Sequence, residues 1–387
     1  MTSKRTRLQE DTHFRVIRLL QENPEMSQRD LAAAVGVSVG GILLNYPRAA
    51  EGEEAALERV VMLDAARPKA SKGSVAFLGA GNYASRMLIP AFRAAGADLD
   101  TVISSGGISA VHSGKKFGFR EAATEATDAL TNTDIDTMVI ATRHDAHAKQ
   151  VLEALRAGKH VFCEKPLCLT LDELAEIEAE KATRPEQHLM IGFNRRFAPH
   201  IIQMKGLLNK IDQPKTFIMT INAGDIPADH WAQNPAVGGG RIVGECCHFI
   251  DLLRHLAGAP IVAHHAVSLG EHTAIAIRED KAVITLQFAD GSVGAVNYLA
   301  NGHPSVAKER LEVFVAGRVL QLDNFRRLTA RGWSKVRPVR LWKQDKGQVA
   351  CATAFIEAVR SGKPAPVSAA ELFEVSRVSI EVAESLR

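Results

Sequence analysis

No apolar run in this 387-residue chain reaches the roughly 18 residues of a membrane span, so no helix is expected to cross a bilayer. Charge of one sign is also lacking. Lys and Arg number 47 against 44 Asp and Glu, a net +3, too little for an overall basic field that recruits nucleic acid or membrane. Part of that excess is local, at Lys4, Arg5 and Arg7. Cysteine is scarce: Cys163, Cys168, Cys246, Cys247 and Cys351 form no C-x-x-C pair. A disulfide framework is thereby excluded, and reduced thiols in a cytoplasm are expected. The polar start does not read as a secretory signal. Glu245, Cys246, Cys247, His248 and Asp251 cluster in sequence, but adjacent cysteines point apart and no second pair exists, so no zinc site is expected. There is no G-x-S-x-G elbow to support a Ser-His-Asp hydrolase, and no internal repeat or low-complexity tract.

The length allows two domains and a small third. Residues 1–46 read as helical. Asp11 caps a helix carrying Phe14, Ile17, Leu19 and Leu20, and Ser27 opens another with Leu31 and Ala34 on one face. This resembles the first two helices of a helix-turn-helix in the small MarR-type regulators found near exopolysaccharide genes. Where a recognition helix belongs, the chain runs Val39-Gly40-Gly41 to Tyr46-Pro47. Two glycines and a proline oppose a stable reading helix, so nucleic acid is not an expected partner. Gly41–Pro47 and Arg59–Leu63 also resemble the tail of a zinc-dependent medium-chain dehydrogenase domain. Residues 47–73 read as a linker.

From Ser74 strands and helices alternate, which implies a parallel sheet. Strands are expected at 75–78, 99–104, 137–142 and 160–163, and helices over 83–95, with Pro90 as a kink, and 146–157, ended by Gly158. Thr170-Leu171-Asp172-Glu173 is a capping-box signature. Beyond about 197 the runs at 215–222, 261–268, 282–288, 293–299 and 310–315 are rich in β-branched residues. Asp290-Gly291 marks a hairpin between two of them, and Ser368 caps a last helix. These define a large open, mainly antiparallel sheet.

Gly79-Ala80-Gly81-Asn82-Tyr83-Ala84 follows the first strand and opens a helix. In that context Gly79 permits the tight turn, Gly81 lets the backbone approach a pyrophosphate, and Ala84 lets helix and strand pack closely. The helix start then offers free N–H groups to the phosphates. The second strand ends in Ser104-Ser105-Gly106-Gly107 rather than in an acid. An acid there binds the ribose of NAD, so NAD or NADP stays open, with a lean to NADP if Lys115 or Lys116 approaches.

Glu164-Lys165-Pro166 follows another apolar strand, at the sheet edge where α/β ligands bind. Glu164 is placed to hold or tune the lysine, and Pro166 is a candidate for a cis bond. A lysine serves as general base when burial or nearby positive charge lowers its pKa.

Val75–Ala84, Ala141-Thr142-Arg143-His144-Asp145-Ala146-His147, Lys159–Leu167, Gly192–Phe197 and Gly238-Gly239-Gly240 through His248 to Asp251 together resemble the glucose–fructose oxidoreductase/inositol dehydrogenase (Gfo/Idh/MocA) family. The resemblance runs over 74–387. Gly81–Ala84 and Gly244–Asp251 look more closely like the second half of bi-domain oxidoreductases. It implies α/β architecture: a Rossmann domain over 74–196, an α/β substrate and oligomerisation domain over 197–387, and NAD(P)-dependent redox at a hydroxyl-bearing carbon. It carries the catalytic roles onto Lys165 and His248. Gly79 to Ala84, Ser104, Ser105, Thr142, His144, His147, Glu164, Lys165 and Pro166 fall to the cofactor. Lys165, Arg195, Arg196, His230, Trp231, Glu245, His248 and Asp251 fall to the substrate. Relatives often carry an aspartate where this chain has Gly244, which leaves a carboxylate partner for Lys165 or His248 in question.

The expected function is oxidation or reduction of a sugar, sugar nucleotide or cyclitol, linked by the regulator-like start to polysaccharide metabolism, in a homodimer or homotetramer formed through the open sheet. The alternatives are an NAD(P)-sensing DNA-binding regulator and an enzyme impaired by loss of a first domain.

Overall fold

The computed structural model describes residues 59–64 and 72–387, apart from 335, 337 and 338. The helical reading of 1–46 therefore lies outside the described residues. The first sheet contains β1 (Val60–Met62), β2 (Ser74–Leu78), β3 (Asp98–Ile103), β4 (Glu121–Ala123), β5 (Thr137–Ile140), β6 (His160–Cys163) and β7 (Leu189–Ile191), in the order β1-β4-β3-β2-β5-β6-β7. Strands β2 to β7 pair in parallel. Strands β2, β3 and β5 are buried along their whole length, because helices cover both faces of a parallel sheet. This explains why β2 and β5 run mostly apolar rather than alternating, while the polar residues of β3 gather toward its start.

One expectation fails here. Within the stretch read as a linker, Val60, Val61 and Met62 pair antiparallel with Ala123, Ala122 and Glu121. Strand β4 would otherwise leave its backbone N–H and C=O groups unpaired at the sheet edge. The Leu63 side chain then packs at Gly114 on helix α2 (Ile108–Phe117). The helix after β2 also differs in detail. It begins as a π-turn over Ala84–Leu88 and continues as α1 (Ile89–Ala94), with Pro90 in its first α-helical turn. Proline removes one N–H from the helical ladder there, at the point where the widened turn gives way to the α-helix.

The second sheet runs β15-β14-β13-β12-β8-β11-β10-β9. Its strands are β8 (Thr216–Asn222), β9 (Ile261–Ser268), β10 (Lys281–Phe288), β11 (Val293–Leu299), β12 (Glu309–Val315), β13 (Arg318–Asp323), β14 (Arg327–Arg331) and β15 (Val339–Arg340). Only β8 and β11 pair in parallel among these. Ala282, Ile284, Leu286 and Phe288 of β10 are buried, while Val283, Thr285 and Gln287 between them are exposed, so one face is packed and the other open. The last three strands are short and arginine-rich, which hides them from a periodicity reading. Thr170 does form the capping box of its helix, and the Ser368 side chain accepts from the Glu371 N–H.

Packing crosses the boundary expected at 196/197. The helix Gln348–Ser361 returns to the first sheet, where Phe355 meets Phe92 and Phe162 edge-on at 6.4 and 5.5 Å. Among the described residues no helix is long and apolar enough to cross a membrane.

Candidate active site

Gly79 takes φ +103°, and a Cβ there would lie 2.4 Å from the Ala141 carbonyl oxygen. Only glycine meets both conditions. Gly81, by contrast, has nothing within 4 Å of its missing Cβ. That open turn, followed by buried Ala84 at the helix start, fits a pyrophosphate brought close to the backbone.

At the end of β3, Ser104 and Ser109 share a hydrogen bond of 2.7 Å between hydroxyls. The acids of β3, Asp98 and Asp100, sit at its opposite end and pair with Arg120 at 3.7 and 3.1 Å. Lys115 and Lys116 lie in the last turn of α2, roughly 10 Å along the axis from its start. Lys116 covers the Phe117 ring at 5.0 Å. Both lysines are therefore carried at the end of α2 away from Ser104-Ser105.

A cavity of about 590 Å³ opens against this turn, lined by Tyr83, Thr142, His144, His147, Glu164 and Lys165 and by Arg195, Trp231, Glu245 and His248. The Lys165–Pro166 bond is cis. The His147 ring lies 2.6 Å from the Pro166 carbonyl through Nδ1 and 3.3 Å from the Thr142 carbonyl through Nε2, tying two loops together. Lys165 Nζ donates to the Gly244 carbonyl at 2.5 Å. Gly244 belongs to a π-turn over Ile242–Cys246, a widened helical turn often found at functional sites. A backbone carbonyl, not a carboxylate, is thus the partner of Lys165. A Cβ on residue 244 would lie 3.2 Å from His144 Cε1, so the imidazole fills the space of the missing side chain.

His144 Nδ1 donates to the Gly238 carbonyl at 2.8 Å, which fixes the tautomer. Burial, then the Lys165 charge, pushes its pKa down to about 3, so the ring is neutral. His248 is buried, and its Nδ1 makes no hydrogen bond among the described residues. Burial, then Arg195 and Lys165, holds it well below the ordinary histidine range. Burial raises the Glu164 carboxyl to about 7 against the opposing pull of Lys165.

Three residues expected at the substrate, Arg196, Asp251 and His230, do not line the cavity. Arg196 forks onto Asp251 with contacts of 2.5 to 3.0 Å and also holds Glu371 at 3.1 Å. Asp251 is fully buried. Burial raises its carboxyl, yet the guanidinium keeps it ionised at neutral pH. The pair is an internal clamp. Both saturate each other because a buried charge without a partner is costly. His230 is exposed and accepts the Ala232 N–H at 3.2 Å, capping a short 3-10 turn. Arg195 lines the cavity but is engaged bidentately by Glu309 at 3.1 and 2.8 Å. Glu245 is occupied too, by Arg241, Tyr298 and Lys308 at 2.8, 2.6 and 2.6 Å. The cavity wall also carries Asn194, Arg241, Lys308 and Lys346, which sequence reading missed. Arg241 had a local signal in its i,i+4 spacing to Glu245, and Asn194 lay within the Gly192–Phe197 stretch; Lys308 and Lys346 had none.

A glycine cradle for a dinucleotide, opening onto a cavity that holds a lysine, defines an NAD-binding oxidoreductase. Comparison with known proteins gives the family. An oxidoreductase-family model with an NAD-binding Rossmann fold (GFO_IDH_MocA) matches residues 74–193, and the C-terminal alpha/beta domain model of the same family matches 205–386. The chain carries both domains and belongs to the Gfo/Idh/MocA family. A winged helix-turn-helix DNA-binding model matches residues 9–44. Myo-inositol 2-dehydrogenase of Thermotoga maritima is 27% identical over 66% of this chain and 78% of its own length. Levoglucosan dehydrogenase of Pseudarthrobacter phenanthrenivorans is 27% identical over 50% of this chain, and the match spans only 57% of that enzyme. A solved levoglucosan dehydrogenase with NADH and levoglucosan superposes with a TM-score of 0.71, at 21% identity over 81% of this chain and 96% of that one. This last likeness shows the fold.

Proposed function

We propose that this chain is a dehydrogenase or reductase that moves a hydride between a nicotinamide cofactor and a hydroxyl-bearing carbon of a sugar, sugar nucleotide or cyclitol, with Lys165 as general acid/base. The observation that carries the reading is the position of Lys165: its amine is fixed by the Gly244 carbonyl in the cavity that adjoins the Gly79–Ala84 turn. Relatives named as inositol and levoglucosan dehydrogenases support the substrate class.

The Gly79–Ala84 turn and Ser104-Ser105 would hold the cofactor, which would supply the hydride acceptor or donor. The chain's own residues do the rest. In the oxidative direction Lys165 Nζ, unprotonated, takes the substrate hydroxyl proton as the hydride leaves carbon. In the reductive direction it returns that proton. The Gly244 carbonyl accepts one N–H and so orients the nitrogen. Neutral His144 and His248 offer ring nitrogens to sugar hydroxyls without adding charge. Trp231, edge-on to His144 at 4.9 Å, presents an aromatic surface of the kind sugar faces pack on.

The end of β3 lacks an acid to bind a ribose 2′-hydroxyl, which favours NADP, while Lys115 and Lys116 give that preference no help. Titration of the purified protein with NADH and NADPH, followed by fluorescence, decides between them. Failure to bind either overturns the dehydrogenase reading. The exposed face of the second sheet is the proposed surface for a homodimer or homotetramer.

A second reading, an NAD(P)-responsive DNA-binding protein, is favoured by the winged helix-turn-helix match over 9–44. It predicts a salt-dependent DNA shift by the full chain. The MarR-like resemblance of that segment is the basis for proposing a place in polysaccharide metabolism.

A further inference from the structure

Positive charge in the cavity exceeds what its carboxylates neutralise. Glu245 is shared by Arg241 and Lys308, at 2.8 and 2.6 Å. Glu309, directly behind the wall, is shared by Arg195 and Lys346, at 2.8 and 2.7 Å. Each carboxylate therefore serves two cations. Lys165 is a fifth, and its partner is an uncharged carbonyl. The other carboxylate at the wall, Glu164, titrates only near 7, and burial lowers all three histidines there, His144, His147 and His248, so they are neutral. Buried Asp280, on the far side of Arg241, is bound to Lys281 and Gln233.

The surplus lies on the substrate side. The cofactor's phosphates belong at the Gly79–Ala84 turn of the first sheet. Arg241, Glu245 and Lys308 belong to the helix and loop that pack on the second sheet, where the Tyr298 hydroxyl of β11 closes the group. Lys308 is the accessible member, with its side chain 40% exposed. An ammonium carries three N–H donors. Lys308 and Lys346 each spend one within the chain among the described residues. A neutral sugar does not need this arrangement. An anion gains charge-assisted hydrogen bonds from it and is drawn in by the unbalanced field.

We infer that the substrate is an anionic sugar whose carboxylate or phosphate group seats against Lys308 and Lys346, with its reacting hydroxyl at Lys165. This rests on the dehydrogenase reading of the cavity and narrows its substrate class.

The test is calorimetric titration of the full chain, saturated with NADH, with D-glucuronate, D-gluconate, D-glucose 6-phosphate, UDP-glucose, D-glucose and myo-inositol. At least one charged compound should bind tenfold or more tightly than both neutral ones. Raising the salt from low to high concentration should shrink that preference, and Lys308→Met should remove most of it while NADH affinity stays as in the parent. Lys346→Met serves the same purpose if the first variant does not fold. Carboxylate and phosphate arms separate the two sources of the anion. Neutral sugars binding as well as the charged ones, no charged compound binding to NADH-loaded protein, or a preference that survives in both variants overturns the inference. Oxidation assays with NAD and NADP separate the two claims. A charged sugar that binds but is never oxidised overturns the dehydrogenase reading alone, and a neutral sugar oxidised with no preference for charge overturns the inference alone.

Discussion

The Lys165 ammonium rests on the carbonyl oxygen of Gly244, 2.5 Å away, so a lysine at the edge of the first sheet is held by the backbone of the helix that packs on the second. The two residues are far apart in sequence, and no side chain of the second takes part.

Replacing Lys165 by Met should lower turnover by about 10²–10⁴-fold, the usual contribution of a general acid/base. Steady-state rates give the turnover, and fluorescence titration should show unchanged NADH or NADPH affinity. A rate within a few fold of the parent removes Lys165 from the chemistry.

Gly244→Asp should not supply Lys165 with a working carboxylate partner. The new Cβ would lie 3.0 Å from the Gly238 carbonyl and 3.2 Å from the His144 ring, so the variant loses activity. Adding His144→Ala clears the ring, and the double variant should be more active than Gly244→Asp alone. Additive losses in that cycle contradict the steric account.

Arg196→Met should destabilise by about 3–5 kcal/mol, as expected when one partner of a buried pair is removed, because it strands fully buried Asp251. Thermal denaturation reads the loss. The KM for substrate, measured below the new transition, should match the parent, since the pair does not line the cavity. A raised KM with an unchanged melting temperature reverses the assignment.

Gly79 and Gly81 should respond differently. Gly79→Ala places a methyl against the Ala141 carbonyl at a φ of +103°, so folding suffers. Gly81→Val meets open space, so the melting temperature holds while cofactor affinity drops. Equal cofactor affinity in Gly81→Val and the parent would mean that the pyrophosphate lies elsewhere.

Glu164 makes stability depend on pH. Burial holds its carboxyl near 7 in the folded chain, against about 4.3 when unfolded. The folded state therefore binds more protons between those values. This contribution is complete below about 4.3 and is lost as pH rises through about 7. Glu164→Gln should have a flatter melting temperature from pH 5 to 7.5 than the parent, and parallel curves contradict the shift.

Some of this was legible because it is local. The strand at His160–Cys163, the capping box at Thr170 and the Gly79–Ala84 turn each depend on a few neighbouring residues whose own backbone preferences decide the outcome. Lys165 was found because it follows a buried strand at the sheet's ligand-binding edge. The fate of Arg195, Arg196 and Asp251 was not legible. Arginine and aspartate look alike in sequence whether they meet a ligand or each other, and Arg196 meets Asp251 only after two distant helical segments pack. Lys308 and Lys346 were missed because nothing within several residues of either marks a cavity. Val60–Met62 was read as part of a linker because three apolar residues say little until a sheet edge is found to need them.

The sequence by itself determined the alternation of strands and helices, the glycine turn and the lysine after β6, since hydrophobic period and backbone conformation are properties of short stretches. Only the tertiary structure decided which charges face the cavity and which neutralise one another. Electrostatic pairing depends on distance and burial in space, and neither is carried by position along the chain.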